Sequence, residues 1–269
     1  QRLMKGQKVL QGYLSAKNPV DTWVSGTFAI AFWTVNHLWH LGKYNLGLSS
    51  CLGGTGMCIS ADIVREFGWG CDCLTEDMEF SMKCLSHGIR TCWVHDAIIY
   101  DEKPLTFMAS WRQRKRWAQG QFDCSERYIP ILMKEGFKRH SIVVLDGIMQ
   151  LLQNYFLLIS AFYLVMTYIN MFYPCFTVVL YNDALVPRQF WSVLGTIQYV
   201  LPLIVLLQIE VPAKIYLYWL IYPVFMYSWV PVTFLGWIHR HEKQWVHTIH
   251  TRSMQFQAAS LTRKKEIDS

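Results

Sequence analysis

Three short runs in the first half of the chain bring together side chains that can do chemistry. The run Leu74-Thr75-Glu76-Asp77 follows the turn-rich Phe67-Gly68-Trp69-Gly70 and precedes Met78 to Gly88, which has the ends of a helix. Thr75 can cap it, and the acids at 76, 77 and 79 suit the positive end of the dipole. Lys83 and His87 suit the other end, and Gly88 suits a left-handed terminating residue. Met78, Met82 and Leu85 supply the buried stripe. Glu76 and Asp77 then stand at the helix mouth, where a firmly held carboxylate can accept a proton from an incoming hydroxyl. Plain capping of a first turn would use the same acids. In Trp111-Arg112-Gln113-Arg114-Lys115-Arg116-Trp117, a helix places Gln113, Arg116 and Trp117 at i, i+3 and i+4, so an amide, a guanidinium and an indole share one face. That face could grip a phosphorylated sugar, with the Arg fork on a diphosphate and the Trp stacked on a ring. A basic helix on a membrane surface or a short nucleic-acid patch would have a similar composition. The third run, Gly53-Gly54-Thr55-Gly56, lets a backbone approach a ligand closely. It is neither GxGxxG nor a P-loop, and a tight turn between strand and helix is the plainer reading.

The elements that must hold these residues change character at about residue 141. From Gln1 to about His140 the sequence is punctuated by Gly, Asp, Glu and Arg, whereas from Ser141 to Ile238 charges almost vanish. Tyr155 to Leu180 is apolar apart from Asn170 and a few hydroxyls, and Trp191 to Leu207 and Tyr216 to Ile238 carry no charge, which predicts three membrane-spanning helices. Pro202, Pro223 and Pro231 interrupt these runs, as spanning helices tolerate. Ile142 to Asn154 carries Asp146, Gln150, Gln153 and Asn154 among apolar residues and reads as an amphipathic interfacial helix. Thr22 to Leu41 has no formal charge but is studded with Thr, Ser, Asn and His, so it reads as a helix packed on a sheet or lying at the interface. The expected organisation is an α/β unit over 1–140, an interfacial helix plus about three transmembrane helices over 141–240, and a polar tail over 241–269. Three crossings would leave the tail outside, but Arg240, Lys243, Arg252, Arg263, Lys264 and Lys265 favour a cytoplasmic tail.

Composition agrees with a mixed soluble and membrane chain. Charged residues make up 16% and AVILMFWYC 52%, which argues against a disordered chain and against a wholly soluble one. The net charge of +6 suits nucleic acid or a membrane protein with its Lys and Arg on the cytoplasmic side, and no nucleic-acid-binding motif occurs. The eight Cys include no CxxC pair, so neither a disulfide framework nor a ribbon-type zinc site is signalled, and a zinc set of Cys71, Cys73, Cys84 and His87 would have unusual spacing. Gln1 is not an initiator Met and no signal pattern follows it, so the chain reads as a fragment.

Taken in this order and followed by apolar helices, Gly54-Thr55-Gly56, Thr75-Glu76-Asp77 and Gln113-Arg114-Lys115-Arg116-Trp117 resemble the membrane-embedded processive family 2 glycosyltransferases, the cellulose, hyaluronan and poly-N-acetylglucosamine synthases. The last run matches that family's Q(Q/R)xRW signature, TED is its usual base motif, and Trp245-Val246-His247-Thr248 is similar to a tail motif of such enzymes. The resemblance implies the C-terminal part of a GT-A nucleotide-diphospho-sugar transferase domain followed by an α-helical transmembrane bundle. It implies an inverting enzyme that uses a nucleotide-sugar donor, a UDP-sugar by expectation, to extend a β-linked polysaccharide. Asp77 would be the general base, with Glu76 and Thr75 fixing the helix mouth. Gln113, Arg114, Arg116 and Trp117 would meet donor and acceptor, and Gly54, Thr55 and Gly56 would shape the acceptor side. Mg or Mn is expected on DxD ligands upstream of Gln1, since no Asp-x-Asp occurs in these residues. Membrane lipids and accessory export subunits are the further expected partners, with the protein in the cell membrane as a multi-pass chain and its catalytic domain cytoplasmic. A single-transfer enzyme acting on a lipid-linked acceptor would share TED and the apolar helices. A multispanning transporter or scaffold would leave the shared face of Gln113, Arg116 and Trp117 without a task.

Overall fold

The structure, a computed structural model, describes residues 6–173 and 188–242. Its centre is strand β1 (Val9–Ala16), every residue of which is buried. Such a strand needs cover on both faces and partners on both edges. Strand β2 (Met57–Ile59) pairs with it antiparallel and strand β3 (Thr91–Asp101) pairs with it parallel, giving the order β2-β1-β3. The register slips between Gly12 and Tyr13: Gly12 faces Val94 but Tyr13 faces Ile98, so residues 95–97 bulge out of β3. Gly12 is required there, because a Cβ would stand 2.7 Å from the Ala97 carbonyl and 2.4 Å from Ile99 Cδ1.

Helix α1 (Trp23–Thr34) covers the sheet. Thr22 and Ser25 exchange backbone N–H and side-chain oxygen in a capping box at its start. The apolar run from Thr22 is thus a helix packed on a sheet, and its outer side is covered as well: a Cβ on Gly26 would meet the Tyr218 ring at 2.1 Å. Val35–His40 continues the helix with π geometry into the short helix α2 (Leu41–Asn45). The widened turn leaves Asn36 and His40 beside the same hollow. Helices α3 (Ala61–Phe67) and α4 (Glu76–Ser86) follow β2.

Helix α5 (Phe107–Lys138) is capped by Thr106, which accepts from Ala109 N at 3.2 Å, and it turns at His140, in the left-handed region with φ 48°, into helix α6 (Ile142–Phe172). A Cβ on Gly136 would come within 2.5 Å of Leu145 Cδ2, so glycine permits the close antiparallel packing of α5 on α6. The expected interfacial helix is therefore not a separate element. Ile142 to Asn154 is the first part of α6, and its polar side faces protein: Asp146 and Gln150 receive the buried Lys43 ammonium at 2.7 and 3.4 Å. Helices α7 (Arg188–Gln208), α8 (Lys214–Tyr227) and α9 (Trp229–Ile238) complete the described chain. Pro231 removes a donor and crowds the carbonyl four residues back, Tyr227, which accounts for the interruption at Ser228 between α8 and α9. Two stretches, Ile142–Met166 and Lys214–Ile238, are long and apolar enough to cross a membrane, and Val193–Gln208 is a shorter apolar helix. The far end of the first expected span and the Trp245 to Thr248 motif lie outside the described residues. The core joins the two halves: Tyr13, Phe28, Ile30, Trp33 and Trp93 share one buried cluster with Leu206, Tyr218 and Phe225.

Candidate active site

A cavity of about 480 Å³ opens between the carboxyl end of β1, the π turn, α4 and α5. Asp77 lines it from the first turn of α4. Asp77 Oδ1 accepts from Met78 N at 2.7 Å. Burial pushes its carboxyl up from 3.8 to about 6; the Met78 N–H opposes this, the Glu76 charge adds to it, and the Arg116 charge opposes it. A group poised there changes charge close to neutral pH, where a general base is most effective.

Two devices hold the glycine run over this carboxylate. The Gln11 amide spans the run: its Nε2 donates to the Thr55 carbonyl at 2.9 Å and its Oε1 accepts from Gly53 N at 2.9 Å. Ser81 ties the run to α4, accepting from Leu52 N at 2.9 Å and donating to the Asp77 carbonyl at 2.8 Å. Gly54, at φ 77°, then lies so close that a Cβ would be 3.4 Å from Asp77 Oδ2. Gly54 and Thr55 line the cavity, whereas Gly56 does not. Gly56 has φ 65°, its carbonyl accepts from Gly12 N at 3.0 Å, and a Cβ would strike Ile99, so its constraint belongs to the sheet.

Thr75 and Glu76 also line the cavity. Thr75 occupies the N-cap position of α4, but its side chain makes no capping bond, and its buried Oγ1 has no hydrogen-bond partner among the described residues. The reason is α5: Gly120 passes so close that a Cβ there would be 2.6 Å from Thr75 Oγ1 and 2.7 Å from Thr75 N. The cap expected of Thr75 is absent, and Glu79 instead braces the loop before the helix, its Oε2 accepting from both Asp72 N and Cys73 N at 2.7 Å. Arg127 stands 3.8 Å from the other Glu79 oxygen.

From α5, Gln113, Arg116 and Trp117 face the cavity, with Trp117 edge-on to Phe28 at 6.0 Å and tilted against Phe32 at 6.3 Å. Gln113 Oε1 has no hydrogen-bond partner among the described residues. Arg114 does not join them. It points the other way, fully buried, donating from Nη1 to Ser228 Oγ at 2.7 Å. The wall opposite α4 carries Asn36, which donates to the Leu14 carbonyl at 2.8 Å, and His40. The His40 ring stacks on Trp93 at 4.7 Å, its Nδ1 is 2.6 Å from Ser50 Oγ, and burial, assisted by the Lys43 charge, pushes it down to about 4, so it is neutral at pH 7. Gln150 and Trp229 close the remaining sides. Sequence reasoning passed over Gln11, Asn36, His40, Gly120 and Trp229. The available signals were a lone amide in an apolar strand and a glycine in mid-helix.

A carboxylate beside a guanidinium and an indole, in a hollow lined with amides, is suited to hydroxyl activation next to a bound ring. The model of a family described as "Glycosyl transferase family group 2" matches residues 3–237. The chain belongs to that family. Among curated proteins, this family 2 chain is 30% identical over 80 residues to a probable glycosyltransferase, YdaM, of Bacillus subtilis (strain 168). That match covers 29% of this chain and 19% of the relative, so the chain corresponds to about a fifth of the relative's length. Among the described residues no three of His, Cys, Asp and Glu are grouped to hold a metal ion, and Cys71, Cys73, Cys84 and His87 form no such group.

Proposed function

We propose that the protein containing this chain is an inverting glycosyltransferase that moves a sugar from a nucleotide-sugar donor, a UDP-sugar, onto the end of a growing β-linked polysaccharide. The observation that carries the reading is that the Asp77 carboxyl, raised to about 6, opens onto the same cavity as Arg116 and Trp117. The acceptor hydroxyl gives its proton to the Asp77 carboxylate as its oxygen bonds to the donor's anomeric carbon. The bond from that carbon to the diphosphate breaks, and the nucleoside diphosphate leaves with the electron pair. Glu76 and Thr75 border the helix mouth, Gly54 and Thr55 bound the acceptor side, Gln113 lines the wall between donor and acceptor, Arg116 faces the diphosphate, and Trp117 stacks against the acceptor ring. Mg or Mn, held by residues outside this chain, would supply charge for the departing diphosphate. In this reading the first half is the C-terminal part of a cytoplasmic GT-A domain. The apolar helices make the protein multi-pass in the cell membrane, and the polymer leaves along them with accessory export subunits.

The test is nucleoside-diphosphate release by the detergent-purified full-length protein with a panel of UDP-sugars and Mg or Mn, comparing wild type with Asp77→Asn and sizing the product. Asp77-dependent release with a long saccharide is the expected result. A single-sugar adduct would move the assignment to a lipid-linked acceptor, and no release with any donor would favour a transporter or scaffold.

A further inference from the structure

Arg114 is a buried cation whose place neither its neighbours in sequence nor the reaction explains. Its relative exposure is 0%, and no carboxylate pairs with it among the described residues. Burying a guanidinium without an opposite charge is expensive unless rings and dipoles replace the lost water. Here rings do so in part: the guanidinium carbon lies 4.5 Å from the centroid of Phe225, 5.1 Å from that of Trp229 and 5.7 Å from that of Phe107, while Nη2 has no hydrogen-bond partner among the described residues. Nη1 donates to Ser228 Oγ, which in turn donates to the Phe225 carbonyl at 2.6 Å. Arg114 thus grips the one residue between α8 and α9 and the indole that follows it. Trp229, with the guanidinium against its ring, also lines the Asp77 cavity, whereas Arg114 itself does not.

We propose that Trp229 is a stacking wall for a pyranose ring of the acceptor saccharide, and that Arg114 is the positioning residue that sets the angle of that wall from behind. The proposal deepens the transferase reading above and rests on it. Trp229 comes from the C-terminal helices and Trp117 from α5, so the cavity carries an indole from each half of the molecule. An indole face gains most from the axial C–H side of a sugar when its angle is fixed beforehand, and the contact of Arg114 with Ser228 fixes it where Pro231 has broken the helix.

The test uses the full-length protein in detergent and two readouts. Direct binding is measured with β-linked tetrasaccharides of glucose and of N-acetylglucosamine, and nucleoside-diphosphate release is followed against acceptor and donor concentration. Trp229→Leu is expected to weaken tetrasaccharide binding and raise the acceptor KM at least tenfold, with the donor KM and kcat within twofold of wild type. Trp229→Phe, which keeps a ring and the packing, should recover most of that loss. Arg114→Met should raise the acceptor KM about fivefold, and Arg114→Lys should fall between it and wild type. The double variant Trp229→Leu/Arg114→Met should be no worse than Trp229→Leu alone, because Arg114 acts only through the indole.

Tetrasaccharide binding unchanged in both Trp229 variants would overturn the stacking role. Multiplying effects in the double variant, or a donor KM that rises with Arg114→Met, would overturn the positioning role. Because binding is read without turnover, a wild-type protein that releases no nucleoside diphosphate yet binds a tetrasaccharide through Trp229 would sink the transferase reading and leave the sugar wall standing. A wild-type protein that binds neither tetrasaccharide would overturn the wall.

Discussion

Replacing Asp77 with Asn should separate the chemistry of this carboxylate from its effect on folding, and the two should move in opposite directions. Asn keeps the shape and an oxygen for the Met78 N–H, but not the charge. Burial raises the carboxyl from 3.8 to about 6. At about 1.4 kcal/mol per pKa unit, the ionised group costs the folded state up to ~3 kcal/mol. Below pH 3.8 the group is protonated in both states and contributes nothing. Between 3.8 and about 6 the folded protein keeps a proton that the unfolded chain has lost, so stability falls as pH rises, and above about 6 the full cost is present. Asp77→Asn is therefore expected to unfold at a higher temperature than wild type at pH 7.5 and at nearly the same temperature at pH 4. Turnover should respond the other way. Wild-type release should fall about tenfold per unit below pH 6, following the ionised fraction of the base, and the variant should release almost nothing at any pH. Thermal unfolding in detergent and nucleoside-diphosphate release, on the same preparations at both pH values, decide the matter. A variant that melts lower at pH 7.5, or that retains a tenth of the turnover, would refute the argument.

Three further outcomes follow from the same contacts. Glu76→Gln removes the like charge beside Asp77, so the acid limb of the pH–rate profile should move to lower pH; an unmoved limb would mean that the carboxylates do not interact. Gly120→Ala, despite a gain of about 1 kcal/mol in helix propensity, should cut release more than tenfold, because the new Cβ meets Thr75 N, which cannot yield without moving the TED turn. An unaltered rate would show that α5 does not set that turn. Lys43→Met leaves Asp146 without its 2.7 Å partner in a largely buried site and should cost about 3 kcal/mol of stability. Adding Asp146→Leu should return most of that loss, as read by thermal unfolding.

What could be read in the sequence was local. The helix of TED has its acids in the first turn and Gly88 at φ 83°, and one face of α5 gathers Gln113, Arg116 and Trp117, because caps and i, i+3, i+4 neighbours are decided within a few residues. The role of Arg114 was not legible, since its partner Ser228 is 114 residues away. Nor was the clamp of Gln11 on Gly53 and Thr55, which closes across more than forty residues. Thr75 carries the sequence mark of a cap, yet the approach of Gly120 turns its hydroxyl from that task. Ile142 to Asn154 looked amphipathic in the way of an interfacial helix. A polar stripe does not say whether its partner is a headgroup or a buried lysine, and here it is Lys43 from α2.

The C-terminal helices are part of the cavity as well as candidates for membrane spans. Gln150 of α6 and Trp229 of α9 are among its walls. Lys43 with Asp146, Gln119 Nε2 with the His239 carbonyl at 2.8 Å, and Arg240 with Glu126 at 2.6 Å tie those helices to the elements that carry Asp77 and Trp117. Gly26 against Tyr218 and Gly236 against Ala118, each too close for a Cβ, leave no room for the two halves to slide. A catalytic unit cut at about residue 141 would therefore lose two cavity walls and expose the apolar face of α1, so the site should be assayed with the C-terminal helices attached. Excision of α8 and α9 should abolish acceptor binding even where the fold around Asp77 survives. An excised protein that still bound a β-linked tetrasaccharide with wild-type affinity would show that the cavity is complete without them.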